Sequence, residues 1–435
     1  MRGKVKDMRN INVGLVGLGG RGAGLLKTIL SCEAVTVTAL CDLYSDRVED
    51  AKKIVMETAG NTPKTYLDYT ELVADQNVEA VVVATSWEAH VDVAVASMRA
   101  HKYTALEVGG AYDVEDCWHL VRTYEETKTP IMLLENCCFN KFELTATALA
   151  RAGKFGRIMY CHGAYGHELR GEILGGEINR HYRLRNYRAR NCENYPTHEL
   201  GPIAKLLNIN RGNKMLSLSS VATKSGVGIE ACASSDATPD ENMRGVEFNQ
   251  GDIVITTISC QNGEVITLKL DTSLPRFYSR EFTVRGTKGL CTQDSQMALF
   301  ESTTKFHDVW DPAEVIRQNI GNIYNYTDYI PEMWKKVTSE QLELGHGGMD
   351  YFEFVEFFNA IREGREMPID VYDAAAWMVI TPLSEQSIAH GGMPQPIPDF
   401  TRGKYLLREP RDVIELPKPE CDECEAPGEL GFSRP

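Results

Sequence analysis

An excess of basic charge is the first thing the chain lacks, and its absence narrows the partners. The 46 lysines and arginines are outnumbered by 61 aspartates and glutamates, for a formal net charge of −15 at pH 7. A nucleic-acid binder normally presents a basic face, and an anionic membrane attracts polybasic segments, so neither partner is expected. Long apolar runs are also missing: no uninterrupted stretch is long enough to cross a bilayer. No apolar core with a small-residue cleavage site precedes the first strand-like run, so no export signal is read and a cytoplasmic protein is expected. Paired cysteines are scarce. The 12 cysteines are scattered, and Cys421 with Cys424 forms a lone CxxC near the end. A structural zinc site usually needs a second pair, and a disulfide framework does not suit a chain of this size without a secretion signal. Reduced thiols and no metal site follow. Internal repeats are absent as well.

What is present is an ordinary globular composition, 435 residues with 43% hydrophobic and 25% charged, enough for two or three domains. Strand-like apolar runs alternate with helical patterns along the first third: 12–16, 34–40, 79–85, 103–108 and 130–134, with helices expected over 23–29, 46–58, 89–100 and 113–127. Near-continuous apolar strands alternating with helices predict a doubly wound parallel α/β sheet of the Rossmann type. After Asn136 a helix is expected over 142–152. Strand-like pieces then follow at 157–165, 215–221, 252–259, 265–271 and 280–285, with turn signals such as Gln261-Asn262-Gly263 between them. This predicts a C-terminal α+β domain with a mainly antiparallel sheet, followed by helices over 350–362 and 371–387. The expected division is 1–136 for the Rossmann domain, 137–405 for the second domain, and 406–435 for an acidic tail, which reads as a wrapping arm or a loose end.

Gly17, Gly19 and Gly22 follow the first strand and open a helix, matching G-x-G-x-x-G. The first permits a tight turn, the second lets a pyrophosphate approach the backbone, and the third lets helix and strand pack closely. The helix N-terminus then offers free N–H groups to phosphate. Asp42 ends the second strand, where a carboxylate meets ribose hydroxyls and favours NAD over NADP; the plainer alternative is a helix N-cap. Trp87 and His90, beyond the third strand, could border the cofactor or simply cap and pack a helix. Glu107-Val108 and Asn136 end two further strands, where a nicotinamide needs polar partners and where ordinary loop residues also sit.

These residues resemble a known group. The N-terminal half is similar to the glucose–fructose oxidoreductase/inositol dehydrogenase proteins, which usually carry Glu-Lys-Pro where this chain has Glu107-Val108-Gly109. The rest resembles an offshoot, glycoside hydrolase family 109, the NAD-dependent N-acetylgalactosaminidases. The stretches that match are 134–138 (LENCC), 163–170 (GAYGHELR), 194–202 (NYPTHELGP), 208–212 (NINRG), 275–280 (PRFYSR) and 398–404 (PDFTRGK). The resemblance implies NAD contacts at Gly20, Arg21, Asp42, Trp87, His90, Glu107, Val108, Asn136 and Arg183, and substrate contacts at Tyr165, Tyr195, His198 and Tyr278. Glu199 stands where the family commonly has Gly.

NAD-dependent glycosidases depart from the two-carboxylate scheme. The sugar is oxidised at C3, its C2 proton becomes acidic, the C1 group is eliminated, water adds, and the hydride returns. Such a route needs a base of ordinary pKa, and His198 suits it, just ahead of an apolar helical run. Tyr165 and Tyr195 are expected to relay protons or hold hydroxyls, and Tyr278 to seat the ring. A structural histidine and buried tyrosines with satisfied hydroxyls are the bland alternatives. An NAD-dependent sugar oxidoreductase of the inositol dehydrogenase type is the second functional reading, and a non-catalytic NAD sensor the third. A homo-oligomer is expected from the open sheet of the second domain.

Overall fold

The computed structural model describes residues 8–418. Cys421, Cys424 and the end of the expected tail lie outside the described residues. The first six strands are β1 Ile11–Val16, β2 Val35–Cys41, β3 Lys64–Tyr66, β4 Ala80–Val83, β5 Tyr103–Glu107 and β6 Ile131–Leu134. They form one sheet in the order β3-β2-β1-β4-β5-β6, every pair parallel. All four residues of β4 and of β6 are buried, which is why these strands read as unbroken apolar runs. Each fully buried Val, Leu or Ile contributes roughly 1.5–3 kcal/mol. The strand order turns back between β1 and β4, so the crevice beyond their carboxyl ends is where this kind of sheet takes a ligand.

Eight strands build the second sheet: β7 Ile158–Gly166, β8 Met215–Ala222, β9 Ile253–Cys260, β10 Val265–Asp271, β11 Thr283–Gly286, β12 Gly289–Thr292, β13 Met297–Phe300 and β14 Gln395–Pro396. Their order is β13-β12-β11-β7-β10-β9-β8-β14. The sheet is mainly antiparallel, as expected, but β7 runs parallel to β10. Along β9 residues alternate buried and exposed, so one face carries helices and the other is open. Helix Pro196–Leu206, buried throughout, lies on the covered face against β7.

Several elements differ from the sequence expectation. The helix expected over 371–387 is two, Val371–Met378 and Ile380–Ala389, and Pro382 falls in the first turn of the second, where a missing N–H costs little. The strand expected from residue 280 begins at Thr283, because Glu281 adopts φ +47° and cannot extend the ladder. Short β3, β12, β13 and β14 had no periodic signal. The start of the tail is not loose: Val413 and Leu416 are buried and Arg408 pairs with Asp370.

Candidate active site

The glycine loop is built as its spacing predicts. Gly17 has φ +93°, and a Cβ there would lie 2.4 Å from the Ala84 carbonyl oxygen at the end of β4. A Cβ on Gly22 would lie 1.9 Å from the Gly17 oxygen, whereas Gly20 has open space around it. Helix Gly20–Leu30 has no side-chain cap and no acidic residue in its first turn. Its N–H groups are therefore left for an anion. Asp42 does not cap a helix. Its carboxylate accepts from the Leu18 N–H at 2.7 Å and the Tyr44 N–H at 3.0 Å, tying the end of β2 to the loop. Each oxygen keeps a lone pair for a hydroxyl.

At the far side of the loop, charged groups converge. Arg21 Nε lies 3.2 Å from Glu107, and its Nη atoms fork onto Asp350, which also accepts from Asn136 Nδ2 at 2.6 Å. Burial raises Glu107 above the usual carboxylate range even beside Arg21. Burial acts the same way on Asp350, but hydrogen bonding by His346 and the charge of Arg21 outweigh it and hold that carboxyl well below the range. Glu353, one turn further along helix Met349–Glu363, is buried with no partner for either oxygen, and burial pushes it upward. His90 is fixed between the Thr85 hydroxyl at 3.0 Å and the Val108 carbonyl at 3.3 Å; burial lowers it to about 4, so it is neutral at physiological pH. Trp87 packs against Gly109, where a Cβ would fall 2.4 Å from its ring, and its buried Nε1 has no partner.

The second wall centres on His198, in the first turn of helix Pro196–Leu206, which Pro196 starts without losing a needed N–H. His198 Nδ1 lies 2.8 and 3.0 Å from the two oxygens of Glu135. Glu135 directly follows β6, and its carboxylate also accepts the Cys137 N–H at 3.1 Å, capping the short helical turn Asn136–Phe139. Burial would raise Glu135, yet the charge and hydrogen bond of His198 hold it below the usual range. A carboxylate on Nδ1 fixes the tautomer and leaves Nε2 as the reactive nitrogen. Glu135, Cys137 and His198 bring donor atoms within 4.8 Å of one another. Within the group, the contact described is the hydrogen bond between His198 Nδ1 and Glu135.

Tyr195 and Tyr165 pack beside this pair with their rings tilted, 4.5 Å between ring centroids, with His198 4.8 and 5.5 Å from them. Burial pushes both phenols well above their ordinary value. Arg183 stands among the rings of this wall. Its guanidinium lies over Tyr195 at 4.8 Å and Trp87 at 5.2 Å, with Nε 2.7 Å from Glu172 and Nη1 buried without a hydrogen-bond partner. Tyr278 is half-exposed, edge-on to His167 at 5.2 Å, and its hydroxyl accepts from Arg280. Glu199 turns from this wall toward β10, where it accepts the Lys269 N–H at 2.8 Å.

The structure thus joins Arg21, Glu107 and Asn136 at one corner, and Trp87, Arg183, Tyr165, Tyr195 and His198 along one wall. Sequence reading missed Glu135, Asp350 and Glu172. Glu135 lay inside a quoted stretch without a role; Asp350 had no signal. The segment before Arg183 was also unread. It crosses to the first sheet, where Arg180 pairs with Asp46 at 2.6 Å and lies over Tyr44, and Arg47 Nη2 donates to the Asn179 carbonyl at 3.0 Å. This strap closes beside Asp42 and Gly19.

Comparison with known proteins matches the same two parts. Residues 11–134 match the oxidoreductase family with an NAD-binding Rossmann fold, and residues 139–407 match the C-terminal domain of glycosyl hydrolase 109. The chain is 34% identical over 423 residues to an alpha-N-acetylgalactosaminidase of Tannerella forsythia, covering 92% of this chain and 88% of that one. It is 35% identical over 426 residues to a glycosyl hydrolase family 109 protein of Stenotrophomonas maltophilia (strain K279a), covering 92% and 91%. Among solved structures, levoglucosan dehydrogenase with NADH and levoglucosan superposes with TM-score 0.65 at 17% identity, over 90% of this chain and all of that one. Myo-inositol 2-dehydrogenase of Lactobacillus plantarum gives TM-score 0.63 at 14% identity, over 90% and 100%. At such identities the structures show a shared fold. The glycine cradle, the uncapped helix and Asp42 fit NAD, the cofactor of the matched N-terminal family.

Proposed function

We propose, from the premise that this chain belongs to glycosyl hydrolase family 109, that it cleaves N-acetylgalactosaminides through a redox-neutral cycle at C3 of the sugar. The observation that carries the reading is the His198–Glu135 pair, set against Tyr165 and Tyr195 at the end of the NAD-binding sheet. Bound NAD⁺ supplies reversible hydride acceptance at C3, which acidifies the neighbouring C2 proton. Around it, Gly17, Gly19, Gly20 and Gly22 would cradle the pyrophosphate with Arg21 alongside, and Asp42 would hold the ribose. Trp87, His90, Glu107, Val108 and Asn136 would define the nicotinamide end. Arg183 joins the sugar wall, because its neighbours there are the tyrosines.

His198 Nε2 takes the C2 proton, while Glu135 keeps the opposite nitrogen protonated and the ring oriented. The electron pair left at C2 expels the C1 oxygen, and the alcohol leaves with the proton that His198 has just taken from C2. Water then adds across C1 and C2, and C3 is returned to its starting oxidation state. Tyr165 and Tyr195, kept neutral by burial, donate hydrogen bonds to sugar oxygens. Tyr278, at the rim, seats the ring. A second copy of the chain would cover the open face of the second sheet, where Leu216, Val221, Ile255 and Val265 are exposed. The ten described cysteines are free thiols, which suits a cytoplasmic setting.

The test is p-nitrophenol release from α- and β-N-acetylgalactosaminides, with and without added NAD⁺, for the wild type and His198→Ala. Release without net NADH, lost in the variant, is expected. NADH accumulation with free sugars and no glycoside cleavage would overturn the reading in favour of an oxidoreductase.

A further inference from the structure

Two carboxyl groups lie behind the catalytic wall with no cation to neutralise them. Glu193 is fully buried and Glu199 is 1% exposed, and no ion pair among the described residues includes either. Each is anchored through one oxygen by a backbone N–H: Tyr195 N to Glu193 Oε1 at 3.4 Å, and Lys269 N to Glu199 Oε2 at 2.8 Å. The other oxygen of each, Glu193 Oε2 and Glu199 Oε1, is buried without a donor. The two carboxyls are close enough for each to change the other's affinity for a proton. Two bare carboxylates in contact would repel in a medium with little water. One proton between them satisfies both orphaned oxygens at once.

The position of the pair gives it a purpose. Glu193 is fixed at its own backbone by Ser384 and Thr381, its N–H donating to the first and its carbonyl accepting from the second at 2.8 and 2.7 Å. Glu199 immediately follows His198. Gly163 of β7 presses on the Glu199 backbone so closely that a Cβ would lie 2.4 Å from the Glu199 carbonyl oxygen. Two residues along the same strand is Tyr165. We propose that Glu193 and Glu199 share one proton and act as a clamp that positions Tyr195 and His198 against Tyr165. The inference rests on the glycosidase reading of that wall.

Burial and the mutual repulsion of the two charges raise the pair's upper titration above the usual carboxylate range, so the shared proton stays on at neutral pH. The titratable groups whose charge reaches the pair are Cys192 and Tyr187; the ammonium of Lys269 is turned away to Glu281. Because the folded pair is raised, its contribution to stability is complete below the unfolded carboxyl pKa and is lost as pH rises through the folded value. In the pH range between, folding takes up one proton.

Glu199→Gln tests both halves. Its amide oxygen can accept from Lys269 N and its NH₂ can donate to Glu193, with no proton to lose. Urea unfolding from about pH 5 to about pH 8 is expected to show the wild-type unfolding constant rising about tenfold more per pH unit than the variant's, the slope of one proton. Identical slopes would overturn the shared proton. Glu199→Asp, a methylene too short to reach, is expected to lower kcat about tenfold or more with KM within about threefold, while Glu199→Gln keeps kcat near wild type. An unchanged kcat in Glu199→Asp would overturn the positioning role. If no variant and no wild type cleaves a glycoside, the functional reading fails while the unfolding slopes still decide the proton.

Discussion

Replacing Glu135 with Gln is the sharpest perturbation of the proposed chemistry. The amide keeps the shape of the carboxyl but removes its charge from the two oxygens that lie 2.8 and 3.0 Å from His198 Nδ1. A hydrogen bond with a charged partner is worth about 1.5–3 kcal/mol and a neutral one about 0.5–1.5, so the central loss is about 1 kcal/mol. At ~1.36 kcal/mol per factor of ten in rate, kcat falls by about fivefold. The true loss is larger wherever the amide nitrogen faces Nδ1, because the tautomer then reverses and Nε2 carries the proton it should remove. Loss at the level of a mispaired triad, about a thousandfold or more, is the upper end. The assay is p-nitrophenol release under saturating glycoside, with KM and retained NAD measured on the same preparation. KM and NAD content should stay near wild type, since Glu135 contacts neither ligand in the proposal. A variant whose kcat stays within about twofold of wild type would refute the reasoning, because an unoriented imidazole cannot match an oriented one.

Two further outcomes follow from the geometry. Gly22→Ala should purify without NAD and without glycosidase activity, since the new Cβ would lie 1.9 Å from the Gly17 oxygen and force the loop open; nicotinamide absorbance of the purified protein reads this directly, and a fully loaded variant would contradict it. Glu281→Gln should destabilise the fold by about 1–2 kcal/mol at neutral pH. The hydrogen bond from His162, and then Lys269, lowers the Glu281 carboxyl to about 2. Its contribution is present above the unfolded pKa and is lost as pH falls through the folded value, so the difference in urea midpoints should close between about pH 4.5 and pH 2; a constant difference would count against the pairing.

The parts of the site that the sequence disclosed are those with a local cause. The glycine spacing, the carboxylate ending β2 and the apolar alternation each leave a mark within a few residues, and the first sheet was legible for that reason. His198 was legible from its residue type and its place ahead of an apolar helix. Its partner was not: the His198–Glu135 bond closes 63 residues, and Asn136 meets Asp350 across 214. No periodicity encodes such distances; only the packed fold does. The surroundings of Arg183 were equally out of reach: folding sets it among four aromatic rings, Trp87 of the expected cofactor end among them, since a buried guanidinium with Glu172 on one side is stabilised by ring faces on the others. Short edge strands such as β14 form because a neighbour offers its unpaired groups, and that too is invisible in a two-residue segment.

The strap that joins Arg180 to Asp46 and Arg47 to Asn179 has a bearing on metabolism as well as on form. Each contact alone is weak at a surface, but together they bring part of the second half of the molecule up to Arg47, beside Asp42 and Gly19, where a dinucleotide would bind. An enzyme that ends each cycle with its redox partner as it began has no need to release it. Were the strap to hold the cofactor in place, throughput would follow the supply of glycoside and be insulated from the ratio of oxidised to reduced nicotinamide around it. The reverse side of that independence is that a molecule stranded after half a cycle can be rescued only when the strap lets go.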